Sequence, residues 1–167
     1  MNNFNYEKYN SDFDRMLNSD VEVTKARLEE VPQIKSIADK NKNLIGFILR
    51  GSLVESIEKE NLVVLKYKKI IIGFINYHHR KDSQTTLYEI CVDENNRNKG
   101  YGKILINYLL QEAKSQKKKT LLLNCPIDGI AHSFYLRCGF KIKSTRTHTK
   151  NGKKLVTWVY KLDDNNT

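Results

Sequence analysis

A mixed α/β fold is predicted for this chain of 167 residues by three observations. Runs with strand character alternate with runs of helical periodicity between residues 21 and 161, without internal repeats. An apolar strand at 87–92 passes through a polar, glycine-punctuated loop into an amphipathic helix that starts near Gly100. Two turn signals, Lys68-Lys69 and Asn151-Gly152, each sit between runs of strand-forming residues.

The elements follow in chain order. Residues 1–20 mix aromatic and acidic residues, among them Phe4, Tyr6, Tyr9, Phe13, Met16 and Leu17, and read as a helical appendage of unknown role. Residues 21–27 alternate like a first strand. Residues 29–41 read as a helix with Pro32 in its first turn, where a missing N–H costs little. A second helix is expected at 51–60, with Ser52 as cap and Glu55 three residues on. Residues 62–67 and 70–78 form a hairpin, and 86–92 the central strand. The helix after the glycines places Ile104, Leu105, Tyr108, Leu109 and Ala113 on one face. Residues 120–125 are almost wholly apolar, the pattern of a strand covered on both faces, and Pro126 ends it. A helix at 130–138 closes on Gly139 as its left-handed C-terminal residue. Strands at 141–149 and 155–161 make a final hairpin, leaving 162–167 as a polar tail.

Length and composition fit one domain spanning residues 21–161, with 40% hydrophobic residues to build its core. No apolar run is long enough to span a membrane, and the polar N-terminus lacks a secretory signal, so a cytoplasmic protein is expected. Cys91, Cys125 and Cys138 show no paired spacing, and no zinc pattern or other metal site is predicted. Cys91 and Cys138 are expected to be small buried hydrophobes. The net charge of +10 is uneven, because the segment from Lys114 to Lys154 holds many bases and a single acid, Asp128. Such a field attracts an anionic cofactor or nucleic acid; a Lys- and Asn-rich solvated surface reads the same way.

The loop Arg97-Asn98-Lys99-Gly100-Tyr101-Gly102 is the strongest chemical signal. The first turn of a helix carries N–H groups without intrahelical partners and a partial positive charge, which together bind phosphate. Gly100 and Gly102 let a pyrophosphate approach the backbone, while Arg97 and Lys99 add mobile charge. A P-loop is excluded, since Gly102-Lys103 is followed by Ile104 rather than Ser or Thr. The dinucleotide fingerprint is excluded because its third glycine is missing.

The remaining pattern is Arg or Gln, two residues, Gly, one residue, Gly or Ala. With it, the segment Ile90-Cys91-Val92-Asp93-Glu94-Asn95-Asn96-Arg97-Asn98-Lys99-Gly100-Tyr101-Gly102 resembles the pyrophosphate loop of the GNAT superfamily of acetyl-CoA-dependent N-acetyltransferases. A second block, Ala131-His132-Ser133-Phe134-Tyr135-Leu136-Arg137-Cys138-Gly139-Phe140, resembles the family's later helix. The resemblance covers roughly residues 21–161 and implies a mixed sheet whose strands at 87–92 and 120–125 splay apart. It implies acetyl-CoA as cosubstrate, held by Ile90, Cys91, Val92, Arg97, Asn98, Lys99, Gly100, Tyr101, Gly102 and Lys103. A backbone N–H near Cys91 or Val92 would then polarise the thioester carbonyl.

The resemblance also implies direct attack by an amine, without an acyl-enzyme. Tyr135 is then the candidate acid for the leaving thiolate, although an aromatic packed between helix and sheet reads the same way. Glu89, inside an apolar strand, is the candidate base; as an alternative it points to solvent or recognises the acceptor. Cys125 lies near the implied thioester. Of His78 and His79, alternation lets only one face a given side. Asp128 departs from the family pattern, which often has Asn there, and is not assigned to the cofactor.

The expected function is acetyl transfer to a primary amine of a small molecule or a protein, with a homodimer as one possible assembly. Two alternatives stand beside it: an acetyltransferase that modifies nucleic acid or aminoacyl-tRNA, and a non-catalytic acyl-CoA binding module.

Overall fold

The computed structural model describes residues 20–149 and 152–162. The expected appendage, except for Asp20, lies outside the described residues, as do Asn151 of the expected turn and residues 163–167 of the expected tail.

One sheet of seven strands organises the molecule. In chain order the strands are β1 (Val21–Lys25), β2 (Leu62–Tyr67), β3 (Ile70–His79), β4 (Gln84–Val92), β5 (Thr120–Pro126), β6 (Lys141–Thr147) and β7 (Lys154–Lys161). Their order across the sheet is β1-β2-β3-β4-β5-β7-β6. Only β4 and β5 are parallel. The connection between them carries a long helix, as a parallel crossover requires. The β2–β3 turn uses Lys68 and Lys69 with φ of 48° and 67°, the left-handed pair that matches hairpin twist.

The helices are α1 (Val31–Lys40), α2 (Lys42–Ile45), α3 (Arg50–Glu58), α4 (Tyr101–Ser115) and α5 (His132–Arg137). They divide between the two faces. On one, Ile104, Leu105, Leu109 and Ala113 of α4 pack with Leu65, Ile75, Leu87, Leu121, Leu123, Tyr135 and Trp158 in a cluster that reaches from β1 to β7. On the other, Val31, Ile34 and Ile37 of α1 and Leu53 and Ile57 of α3 cover Leu62, Val64, Phe74 and Cys91, so this second cluster stops at β4.

That unequal cover explains one departure from the sequence reading. β5 is not covered on both faces: Leu121, Leu123 and Cys125 are buried, whereas Asn124 is exposed. Two helices also begin elsewhere than expected. Leu49, in extended conformation, precedes α3, and the Ser52 N–H donates to Leu49 O at 3.1 Å. Ser52 therefore lies inside the first turn and its side chain caps nothing. The helix expected from residue 130 begins at His132, because Gly129 N–H closes a turn on Pro126 O at 2.9 Å and leaves Ile130 exposed. The single turn α2 was not expected from sequence. Gly139 does take the left-handed conformation, with φ of 90°.

Candidate active site

β4 and β5 pair only from Gln84–Leu87 against Thr120–Leu123. Beyond that point β4 remains paired with β3 as far as Val92, and β5 with β7 as far as Pro126, so the two parallel strands part. The result is an opening in the middle of the sheet, edged by residues 88–92 on one side and 124–126 on the other. The splayed strands expected from the family resemblance are present.

The direction of the backbone at that edge follows from one hydrogen bond. Asp93 N–H donates to Ile72 O at 2.8 Å, in register with the Gly73–Val92 pair. Alternation then turns the Cys91 N–H towards β3 and the Ile90 and Val92 N–H groups towards the opening. Of the Cys91 and Val92 N–H groups that the sequence left open, that of Val92 is the one facing the opening. The Cys91 side chain is buried on the α1 face, where desolvation first of all pushes its thiol up to about 11.

Past β4 the chain forms the loop that leads into α4. Asn98, with φ of 59°, and Gly100, with φ of 87°, are both left-handed. Such alternation turns successive N–H groups inward as an anion-binding concavity. Among the described residues the N–H groups of Asn98, Lys99, Gly100, Tyr101 and Gly102 donate to no protein acceptor; the first bonds of the helix start at Lys103 and Ile104, both to Gly100 O.

The side chains of this loop do varied work. Arg97 Nε donates to Val92 O at 3.1 Å and its Nη2 to Oδ1 of buried Asn41. It ties the loop to the C-terminal end of α1. Lys99 Nζ donates to Asn95 O at 3.0 Å and is exposed. Tyr101 packs against Tyr67, with centroids 6.3 Å apart. A Cβ on Gly102 would lie 3.1 Å from the Phe134 ring, tighter than an ordinary contact, so α5 favours a glycine here. Burial holds the Lys103 ammonium below its ordinary range.

Two carboxylates in this half of the molecule contrast sharply. Burial alone would raise Glu30, but Lys66 at 2.6 Å, together with the Arg27 N–H and guanidinium, more than reverses this and lowers its pKa. Burial raises Glu89, and only a neutral donor opposes it, Asn76 Nδ2 at 2.8 Å. A desolvated carboxylate without a cationic partner beside an opening has the character of a proton acceptor. Glu30 is a structural ion pair; Glu89 is not.

Glu89 alternates with Ile90 and so shares the face of Cys91 and α1. Tyr135, on α5, belongs to the opposite cluster. The candidate base and the candidate acid therefore lie on opposite faces of the sheet, on either side of the opening. The Tyr135 ring is held by Phe134, Phe140 and Trp158 at 5.4, 5.8 and 6.3 Å. Among the described residues its hydroxyl has no protein partner, and it is not one of the fully buried unpaired atoms, so the oxygen keeps some exposure. Burial raises its pKa, with smaller contributions from Cys125 and Cys138, and keeps the phenol protonated.

Cys125 is part of a small network. His132 Nε2 donates to Pro126 O and Ile127 O, each at 2.9 Å, which leaves Nδ1 to accept from Trp158 Nε1 at 3.3 Å with Cys125 Sγ at 3.6 Å. Burial raises the Cys125 thiol. A protonated thiol is a poor nucleophile, and the network serves to anchor α5 on the end of β5. Asp128 is exposed in the turn between them.

His78 and His79 point to opposite sides. His79 Nδ1 lies 2.8 Å from Thr85 Oγ1 and Nε2 is buried, 4.0 Å from Glu112. Burial lowers its pKa. His78 is exposed and lines a cleft with Asn76 and Tyr88. Asn76 and Asn41 were missed by sequence reasoning. Asn76 had a visible signal, a lone amide within the run Ile70-Ile71-Ile72-Gly73-Phe74-Ile75-Asn76-Tyr77; Asn41 had none, because its role depends on a partner 56 positions away.

A sequence profile of the GNAT acetyltransferase domain matches residues 58–142, just over half of the chain. The chain belongs to the GNAT acetyltransferase family. No curated protein sequence matches this family member. Among solved structures it is similar to Ard1 from Thermoplasma volcanium, with a TM-score of 0.77 at 18% identity over 86% of this chain and 99% of that one. The ribosomal-protein-S18-alanine N-acetyltransferase from Escherichia coli gives 0.72 at 16% identity over 88% and 99%. The putative acetyltransferase yncA from Salmonella typhimurium, solved with acetyl-CoA, gives 0.71 at 13% identity over 89% and 98%. These likenesses describe the GNAT fold. Among the described residues no helix is long and apolar enough to cross a membrane.

Proposed function

We propose that this GNAT protein transfers an acetyl group from acetyl-CoA directly to a primary amine. The observation that carries the reading is the opening between β4 and β5, which connects an N–H concavity on one side of the sheet with a desolvated, uncompensated carboxylate on the other. The residues fit the cosubstrate: the N–H groups of residues 98–102 suit its pyrophosphate, Lys99 and Lys103 add charge, and the Ile90 and Val92 N–H groups suit its amide arm and acyl carbonyl. When bound, acetyl-CoA supplies a thioester whose carbonyl carbon is open to attack by an amine.

The chain's own residues then divide the work. The Val92 N–H, fixed by the strand, faces the place where negative charge develops on the carbonyl oxygen. Glu89 accepts a proton from the ammonium form of the acceptor, which leaves a lone pair for attack. Tyr135, protonated at neutral pH, gives its proton to the departing sulfur, and the second proton that the attacking nitrogen sheds as the amide forms passes to solvent, from which the phenol is restored. Arg97 touches neither reactant; it holds Val92 O and Asn41 and so positions the strand end.

Titration calorimetry with acetyl-CoA, with desulfo-CoA and ATP as controls, tests the reading. Micromolar binding selective for CoA compounds, with thiol release on addition of an amine, is the expected result. A folded protein that binds none of the three would overturn it.

A further inference from the structure

We infer that the cleft between α3 and the bulged part of the β3–β4 pair is the acceptor pocket, that Asn76 orients the acceptor nitrogen there, and that the polar side chains around it select a small, hydroxyl-bearing primary monoamine. The inference rests on the acetyl-transfer reading and names its substrate class.

The cleft has a volume of 290 Å³, at the small end of ligand sites and suited to one sugar-sized ring. Its wall on α3 presents Ser52 and Ser56, one helical turn apart, and its floor presents Asn61 and Asn76. Glu55 and Lys59 also line it, but they form an ion pair with each other, so neither sign of charge dominates there. Tyr88 is the extra residue of a β-bulge: Asn76 pairs with Glu89 and Tyr77 with Leu87, which leaves Tyr88 unpaired and 56% exposed at the edge of the cleft. A bulge of this kind re-aims side chains locally.

Asn76 decides the assignment. It is only 8% exposed, and its Nδ2 donates to Glu89 while its buried Oδ1 has no donor among the described residues. The amide cannot turn round while Glu89 is ionised, because two acceptor oxygens would then face each other. A buried carbonyl left unsatisfied is unfavourable, and an N–H from a ligand in the cleft would satisfy it. The acceptor nitrogen, with several N–H bonds, can divide them between Asn76 Oδ1 and the Glu89 carboxylate. That arrangement orients the nitrogen beside the opening. Besides the paired Glu55 and Lys59 and the Tyr77 and Tyr88 rings, the remaining lining offers the Ser52 and Ser56 hydroxyls, the Asn61 amide and the His78 imidazole, which give hydrogen-bonding substituents an advantage over apolar ones.

The test compares acceptors at saturating acetyl-CoA by thiol release: glucosamine, cyclohexylamine of similar size, spermidine, and a hexapeptide with a free N-terminal alanine. Glucosamine is expected to exceed cyclohexylamine in kcat/KM by roughly 10²-fold or more, since a site built to hydrogen-bond rejects an analogue without hydroxyls. Ser56→Trp, which fills the cleft, is expected to raise the glucosamine KM by about tenfold or more while calorimetric affinity for acetyl-CoA stays unchanged. Asn76→Ala is expected to raise KM and to shift the base limb of the pH–rate profile upward, a shift that loss of packing alone does not produce. Preference for the peptide, spermidine or cyclohexylamine overturns the proposal, as does an unchanged KM in Ser56→Trp or no turnover of glucosamine, provided acetyl-CoA binds. Failure of the wild type to bind acetyl-CoA instead overturns the acetyl-transfer reading, and this proposal with it.

Discussion

The two faces of the sheet are built to different standards. The face under α4 and α5 has one continuous apolar cluster from β1 to β7, and Gly102 of α4 lets the Phe134 ring of α5 approach closely. The face under α1 and α3 is covered only as far as β4, and the segment that joins those helices exposes Leu44, Phe47 and Leu49. A cosubstrate of constant shape needs a fixed concavity, and a closed core supplies it. An acceptor has to enter and leave, and uncovered sheet beside β4 leaves room for that. Glu89 and Asn76 stand at this boundary, buried enough to be shifted but not sealed.

The largest expected effect tests whether the acid belongs to the closed face. Tyr135→Phe should lower acetyl transfer by about 10²–10⁴-fold with acetyl-CoA affinity retained in calorimetry. Unchanged turnover would reduce Tyr135 to a packing residue and move the proton donor elsewhere.

Next in size is a direct comparison of stability between the faces. Leu105→Ala, at a fully buried position in α4, should cost about 2–5 kcal/mol in urea unfolding. Leu49→Ala, on the exposed connection, should stay within about 0.5 kcal/mol. Similar costs would mean that the connection between α1 and α3 is packed after all.

Arg97→Ala probes the tie between the faces. It strands the Oδ1 of buried Asn41, at a cost of about 1–3 kcal/mol in the same unfolding measurement. A loss confined to acetyl-CoA affinity, with stability intact, would instead place the guanidinium on a phosphate.

The smallest expected effect is on pH dependence. Glu89 has its pKa raised above 4.5 in the folded state, so its contribution to stability is complete below that value and is lost as pH rises through the raised pKa. Glu89→Gln should therefore be slightly more stable than wild type at neutral pH, and should lose the base limb of the rate profile. Glu30 has the opposite sign, since its lowered pKa stabilises the fold above the ordinary range and is lost on acidification. Glu30→Gln should weaken the protein most at neutral pH. Parallel pH responses of the two variants would remove the distinction between base and structural ion pair.

Local chemistry was legible in the residues themselves. The strand, loop and helix from Leu87 to Ser115, the Lys68-Lys69 turn, the Gly139 stop and the alternation that separates His78 from His79 follow from periodicity and backbone preference over a few neighbours. The same holds for the free N–H groups of the loop, since they belong to any helix start and Gly100 permits the left-handed turn. What tertiary structure decided were relations between distant segments. No sequence signal shows that Arg97 Nε and Nη2 reach Val92 O and Asn41, or that a Cβ on Gly102 would meet the Phe134 ring. β5 looked doubly buried from its apolar run, but cover depends on how far α1 and α3 reach across the sheet. Glu89 and Glu30 are the same residue type; only Asn76 beside one and Lys66 beside the other give their carboxyls opposite shifts, because burial and pairing are properties of the folded neighbourhood.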